Sequence, residues 1–512
     1  MALGGRRSVE DPFEGSRVRL RRSGRRGRMR LRGKLTIALP LAAVALASWL
    51  SGPGTASLDE AAAWLEPPAE LRLAPQEAPV LELPWAPGEL LARLPASRAG
   101  FEAALASADW LPREVSAGMP LWESVPAPAD RADLVSPLRV QYTFDAALSR
   151  AVFELLADDH VGLGHVLVMD PTTSDLLVYA STDVERFPPT ETYPAASLIK
   201  VVTAAAALDR TPGAAQRACR FDGSPYRLTP GRVNPPRRGT EVSLRRALAT
   251  SNNQCFAQLA VHELGPARML DVIRRFGLLE APAPAHAAGR ASDPGRDPYA
   301  LGRLGCGLSG CRITPLHAVR LAGTVADGQL RQPRWVARVV DGSGRELALP
   351  EPEPPRRVLT SALAAQMRDM MVETTVRGTA RRAFHPNGRP LIPGVSVAGK
   401  TGSLSGKDPD GRYEWFIGVA PAERPRVAVA VVVVQGEVWH KSASQVSAQV
   451  LKLLFCGDRG CSPNAIDRWR PAAAAPAPVP EPAPSAAPGP AATRASLDAA
   501  PAEVAAKPEV AG

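Results

Sequence analysis

Outside its first 34 residues the chain carries almost no net charge, which removes the basic face a nucleic-acid partner would need. Residues 1–34 hold 12 Lys and Arg against 3 Asp and Glu, a net +9 out of +10 for all 512 residues. Histidine is scarce. The seven, His160, His165, His262, His286, His317, His385 and His440, show no H-x-x-x-H or paired metal spacing and read as surface or packing residues. The C-x2-C knuckle of zinc sites is absent too. The six cysteines instead give C-x4-C twice, at Cys306/Cys311 and Cys456/Cys461, far apart along the chain. Local disulfides fit that spacing in an oxidising compartment, with Cys219 and Cys255 as a third candidate pair and other connectivities open. No metal and no cofactor is expected.

Long apolar runs are also few. Leu35–Leu50 is a strongly apolar stretch of 16 residues inside the uncharged segment 35–58, shorter than the ~20 residues that span comfortably. Flanking small residues can extend it. The preceding basic tail is what a membrane protein keeps in the cytoplasm. Residues 35–57 are therefore expected to be a single-pass signal anchor, the alternative being a signal peptide cleaved near Ala-Leu-Ala47. Either way the rest of the chain is expected outside the cytoplasm, in the periplasm of an inner-membrane protein.

Residues 58–138 are Pro-rich but carry Trp64, Trp85, Trp110 and Trp122, more aromatic than a disordered linker. They read as a small arm or pedestal. From about residue 139 the texture becomes that of a folded domain, extending to about 470. "FDAALSRAVFELLADD" predicts an amphipathic helix, and "GHVLVMD" and "DLLVYAS" two strands of a hairpin. A helix-rich stretch follows from about 195 to 385, with a low-complexity loop at 281–300. "GVSVAGKTGS", "YEWFIGVAP" and "RVAVAVVVVQ" return to strand patterns, and "SASQVSAQVLKLLF" closes with a helix. Two strands early and three late imply an α+β domain. Its five-stranded antiparallel sheet closes across a helical insertion. Residues 471–512, mostly Ala, Pro, Glu and Val, are expected to be an extended or disordered tail, either inert or a spacer reaching into the wall.

Gly394 to Thr401 spells G-x-x-x-x-G-K-T, the letters of a phosphate-binding loop. Such a loop follows a strand and opens a helix. Here the middle residues include Val395 and Val397, which favour strand, and a turn sequence follows instead of a helix. Lys400 thus belongs to a hairpin edge, and the same letters are read as K-T-G. "YPAASLIKVVTAAAAL" supplies Ser197 and Lys200 at i, i+3, side by side on one helix face. Ser197 lies near the positive end of that helix, which favours a developing oxyanion. Lys200 acts as a base only when neutral, so its pKa must fall from ~10.4 toward neutrality, a cost of roughly 4 kcal/mol. Burial and a second cation both push that way, and Lys400 is the obvious second cation. "ALATSNNQCFAQLA" supplies Ser251 and Asn253 near a helix start. A hydroxyl there can relay a proton to a leaving amine, and an amide can hold a peptide backbone. Each motif alone is weak; three in the order S-x-x-K, S-x-N, K-T-G are not.

With these residues, the stretch from about 139 to 455 resembles the transpeptidase domain of penicillin-binding proteins, of the class B type that lacks a glycosyltransferase domain. "AASLIKVVTAAAAL", "ITPLHAVRLAGTVADGQL" and "YEWFIGVAPAERPRVAVAVVV" carry the likeness beyond the triad. The resemblance implies the fold shared by these proteins and the serine β-lactamases, Ser197 as acylated nucleophile and Lys200 as general base. It further implies Ser251 as proton relay and Asn253 as substrate clamp. Lys400, Thr401, Gly402 and Ser403 would surround the terminal carboxylate, and the backbone N–H groups of Ser197 and Ser403 would form the oxyanion hole. Ala195-Ala196 departs from the usual Pro-Gly before the nucleophile, Ser403 from a commoner Thr, and "GRLGCGLSG" from a Gly-Gln-Gly turn.

The activity implied is a peptidoglycan D,D-transpeptidase that cross-links stem peptides and binds β-lactam antibiotics covalently, with a glycosyltransferase as a further partner. A D,D-carboxypeptidase differs only in giving the acyl group to water. A β-lactamase is disfavoured because no E-x-x-L-N run supplies a class A type base and S-x-N is not the S-x-V of class D. A non-catalytic wall scaffold is disfavoured by three intact motifs.

Overall fold

A computed structural model describes residues 81–470. The expected basic tail at 1–34, anchor at 35–57, first part of the arm at 58–80 and tail at 471–512 lie outside the described residues. No helix among the described residues is long and apolar enough to cross a membrane.

In chain order, strands β1 (Pro120–Val125) and β2 (Leu138–Asp145) lead into helix α1 (Ala146–Asp158) and the hairpin β3 (Gly164–Met169) and β4 (Leu176–Ser181). Helices α2 (Ile199–Arg210), α3 (Asn253–Leu259) and α4 (Pro298–Cys306) follow, then strand β5 (Cys311–Ile313) and helix α5 (Pro315–Asp327). Strand β6 (Val336–Val340), helix α6 (Ser361–Val376) and the single turn α7 (Arg381–Phe384) complete the middle region. The chain then returns to strand as β7 (Ala398–Gly406), β8 (Gly411–Ala420) and β9 (Val427–Gln435), before helix α8 (Ala443–Phe455).

The central sheet has the order β7-β8-β9-β3-β4 and is antiparallel at every pairing. It is the sheet of two early and three late strands expected from the sequence. β9 reads VAVAVVVVQ, a β-branched run, and residues 427–433 are buried in succession. Burial of consecutive residues requires cover on both faces, which α1, α5, α6 and α8 provide. Local chemistry fixes where the helices begin. The Asp145 carboxylate accepts from the Leu148 N–H at 2.7 Å, Thr360 accepts from Leu363, and Ser442 with Gln445 forms a capping box.

β7 lies at the edge of this sheet, so one side of the K-T-G strand faces the helical insertion instead of another strand. That placement creates the cleft.

Two differences from the sequence expectations stand out. The first is a second five-stranded sheet, in which Leu81–Glu82, Glu346–Ala348, β6, β2 and β1 are neighbours in that order. The stretch 195–385 is therefore helix-rich but not without strand. "VARVV" is only five residues long, too short for its periodicity to be distinguished from a helix fragment. Its pairing with β2 decides its state. β1 comes from the Trp-bearing segment, whose Trp110 and Trp122 meet edge to face at 6.3 Å beneath the Arg139 and Arg338 guanidiniums.

The second concerns the cysteines. Cys219–Cys255 and Cys456–Cys461 are bonded, but the expected Cys306–Cys311 bridge is not, and both thiols are free and buried. Cys306 is the last residue of α4, which stops at Gly307 in the left-handed conformation. Cys311 opens β5, pairs with Ala291 and accepts the Ala195 N–H on its carbonyl. The two residues belong to different elements with separate packing, and spacing alone does not reveal that. Burial pushes the Cys311 thiol up to about 12 and raises Cys306 as well, so neither supplies the thiolate that disulfide exchange needs.

Alkylation of unfolded, unreduced protein should therefore label Cys306 and Cys311 alone; labelling of none or of all six would contradict the assignment. The Cys219–Cys255 bridge closes a 36-residue separation, for which chain entropy gives about 3–4 kcal/mol. Replacing both cysteines by serine should lower unfolding free energy in urea by an amount of that order.

Candidate active site

Ser197 sits in a 3-10 turn, Ala196–Leu198, that runs directly into α2. Three contacts fix this turn. The Trp415 indole N–H donates to the Pro194 carbonyl at 2.9 Å, tying the approach to β8. A Cβ at Gly402 would lie 3.3 Å from both Ala196 Cβ and Ser197 N, so the turn rests against β7. From the other side Gly307, at φ +75°, comes so near that a Cβ there would be 1.9 Å from the Ala196 carbonyl oxygen. Ala196 itself is left-handed, at φ 49°, a conformation glycine adopts more cheaply.

The three sequence motifs converge here. Lys200 Nζ donates to Ser197 Oγ at 2.7 Å, to Asn253 Oδ1 at 2.6 Å and to Ser251 Oγ at 3.2 Å. Lys400 Nζ reaches the same Ser251 hydroxyl at 3.0 Å and the Thr401 carbonyl at 2.6 Å. Ser251 takes a left-handed φ of 57° in the turn before α3, and Asn253 is the first residue of that helix. The Asn253 amide N–H2 donates to the Tyr226 carbonyl at 2.7 Å, which leaves its oxygen directed at Lys200. Thr401, Gly402 and Ser403 lie on β7 and line the same cleft of about 830 Å³.

Both lysines are fully buried. Burial lowers Lys200 to about 8, and burial together with the Lys200 charge holds Lys400 well below the usual lysine range. Of the two causes expected from the sequence, burial and a second cation, burial is the larger. Desolvation is the main cause at both lysines, and two ammonium groups on one Ser251 hydroxyl further disfavour charging both. Cys306 lies within range of Lys200 and as a thiolate would oppose the depression, but its own thiol is pushed up by burial. The neutral form of Lys200 is thereby drawn toward the working range of pH, with its nitrogen 2.7 Å from the Ser197 hydroxyl.

Some residues at the site carry no sequence signal. The Thr379 hydroxyl is 2.5 Å from that of Thr401, and its backbone N–H donates to Ala249 O beside the S-x-N turn. Arg412 on β8 donates to Ser403 Oγ at 2.7 Å. Tyr226 and Arg382 line the cleft. None belongs to a spaced motif, and each is brought in by tertiary contact.

The model of the penicillin-binding protein transpeptidase domain matches residues 164–455. The chain belongs to that transpeptidase family. Among curated relatives, a peptidoglycan D,D-transpeptidase PbpA of Mycolicibacterium smegmatis is 32% identical over 261 residues, covering 48% of this chain and 50% of the relative. The peptidoglycan D,D-transpeptidase FtsI of Escherichia coli is 25% identical over 282 residues, covering 52% and 44%. The chain thus spans about half the length of the curated relatives it matches. The crystal structure of PBPA from Mycobacterium tuberculosis superposes with a TM-score of 0.51 at 24% identity, covering 62% of this chain and 82% of that one. The D,D-transpeptidase domain of a peptidoglycan glycosyltransferase from Eggerthella lenta gives 0.52 at 24% identity, covering 61% and 82%. These two likenesses establish the fold of the penicillin-binding transpeptidase domain here.

The Lys200 depression sets a pH profile. With Lys200 proposed as the base in its neutral form, the second-order rate of acylation by a penicillin should climb with pH, pass its midpoint near 8 and level off above that; a flat profile from pH 6 to 9 would contradict it. Gly307→Ala should cut acylation by more than tenfold while the fold persists, since its Cβ must displace the Ala196 carbonyl; the test is acylation rate beside far-UV circular dichroism.

Proposed function

We propose that the protein is a peptidoglycan D,D-transpeptidase whose nucleophile is Ser197. The observation that carries this reading is the 2.7 Å contact between Ser197 Oγ and a Lys200 whose pKa is drawn down toward the working range. In the reading, neutral Lys200 takes the Ser197 proton as Oγ attacks the carbonyl carbon of the penultimate D-alanine. The backbone N–H groups of Ser197 and Ser403 receive the oxyanion. Ser251, in hydrogen-bond reach of both lysines, passes a proton to the departing amine, and free D-alanine leaves. The Asn253 amide holds the donor backbone, and Lys400, Thr401, Gly402 and Ser403 line the place of its terminal carboxylate. An amine of a neighbouring stem peptide then attacks the Ser197 ester, gives up its proton by the reverse path, and a new amide replaces the ester.

A β-lactam presents a strained amide to the same nucleophile, and opening its ring leaves the acyl group on Ser197 with no small leaving group to depart. The relatives named as peptidoglycan D,D-transpeptidases support the reaction class. The proposal extends to location: anchored by residues 35–57, with the catalytic domain beyond the inner membrane, alongside a glycosyltransferase that makes the glycan strand.

Intact mass after incubation with penicillin should show one adduct on the parent and none on Ser197→Ala. Supplying a D-Ala-D-Ala stem peptide with an amine acceptor should then yield cross-linked product. Release of D-alanine with only hydrolysed peptide would make it a carboxypeptidase. Absence of any adduct on folded protein would remove the Ser197 assignment.

A further inference from the structure

Three features outside the motif residues could bear function: the cavity beside the Cys219–Cys255 bridge, the exposed Val438–Trp439 pair, and the segment leading into α7. The first is lined by arginines already paired with Glu241 and Glu263. The second has nothing on it to specify an occupant. The third bears directly on the cleft.

A donor peptide ending in a carboxylate brings a full negative charge to β7. The site must meet that charge with a cation and hydrogen-bond donors. Lys400 is poorly suited to supply the charge alone. It is fully buried, its ammonium is held well below the ordinary range, and its contacts already go to Ser251 and the Thr401 carbonyl. Arg412 is also engaged: it donates to Ser403 Oγ, has the Glu414 carboxylate at 4.0 Å and lies over the Trp439 ring. Arg382 differs. It lines the cleft together with Thr379 and Thr401, is exposed, and forms no ion pair among the described residues. Its guanidinium remains charged at any working pH.

Thr379 joins it from three residues earlier. Its hydroxyl and that of Thr401 share one hydrogen bond of 2.5 Å, so one of the two protons is free to point elsewhere. Its backbone N–H is anchored on Ala249 O and that of Arg381 on Gly378 O, so Thr379 and α7 are fixed relative to the S-x-N turn. We propose that Thr379 and Arg382 complete the binding place of the donor's terminal carboxylate, Arg382 as its permanent cation and Thr379 as the partner that orients the Thr401 hydroxyl. This deepens the D,D-transpeptidase reading and rests on it.

The test compares two thioester donors in the protein as it stands, identical except that one ends in a free carboxylate and the other in its methyl ester. Arg382→Gln should lower kcat/KM for the acid on the order of 10- to 100-fold, the worth of one charge-assisted contact, and leave the methyl ester nearly unchanged. Arg382→Lys should recover most of the loss. Thr379→Val should act in the same direction but more weakly, with Thr379→Ser restoring activity. Equal losses on acid and ester, or no loss on either, would overturn the proposal. If the parent acylates with neither donor, the Ser197 reading itself falls and takes this inference with it.

Discussion

Two ammonium groups bracketing one hydroxyl, in a space from which water is excluded, form the constraint on which the rest of the structure depends. Lys200 and Lys400 both contact Ser251 Oγ, and both are fully buried. Such an arrangement is costly unless the charge is reduced and the ammonium groups find hydrogen-bond partners. The protein does both. Each ammonium is drawn down in pKa, and the donors are taken up by Ser197, Asn253, Ser251 and the Thr401 carbonyl. In the proposed mechanism the same cost activates the Ser197 hydroxyl, because the amine beside it gives up its own proton more readily than an exposed lysine does.

Holding that pair requires four distant stretches of chain to meet. The nucleophile turn is pinned between β7 and the loop after α4, where Gly402 and Gly307 leave only enough room for backbone. The S-x-N turn is supported by Thr379 through Ala249. The central sheet supplies rigidity, with β7 as its edge strand facing the helical insertion and buried β9 behind. Strain is accepted at the two residues nearest the chemistry, Ala196 and Ser251, both left-handed without being glycine.

Much of this was legible in the sequence, for reasons that can be named. Ser197, Lys200, Ser251, Asn253 and Lys400 stand in short motifs whose spacing reflects local geometry: one helical turn, one helix start, one strand edge. The central sheet was legible because its strands are long or strongly β-branched. What failed to show was whatever depends on packing between distant segments. β6 is too short to declare itself and becomes a strand by pairing with β2. Cys306 and Cys311 have the spacing of a bridge but belong to separately packed elements. Thr379, Arg382 and Arg412 look like ordinary surface residues until the sheet edge and α7 bring them together. Even the electrostatics followed this division. The sequence identified both lysines, but only the structure shows that both are fully shut off from solvent, which is the main cause of depression at each.

The separation of the motifs along the chain has a consequence for biogenesis. Trp415 and Pro194, which lock the nucleophile turn to the sheet, are 221 residues apart. During synthesis Ser197 and Lys200 emerge long before the strand that carries Lys400, and contacts of such separation form late and slowly. Until β7 and β8 arrive, Lys200 has neither its neighbouring cation nor the sheet edge against the nucleophile turn. A nascent chain therefore lacks the assembled surroundings of Ser197 on which the proposed mechanism relies. Under the proposed mechanism, the order of the sequence would delay a reactive hydroxyl until the domain around it has closed.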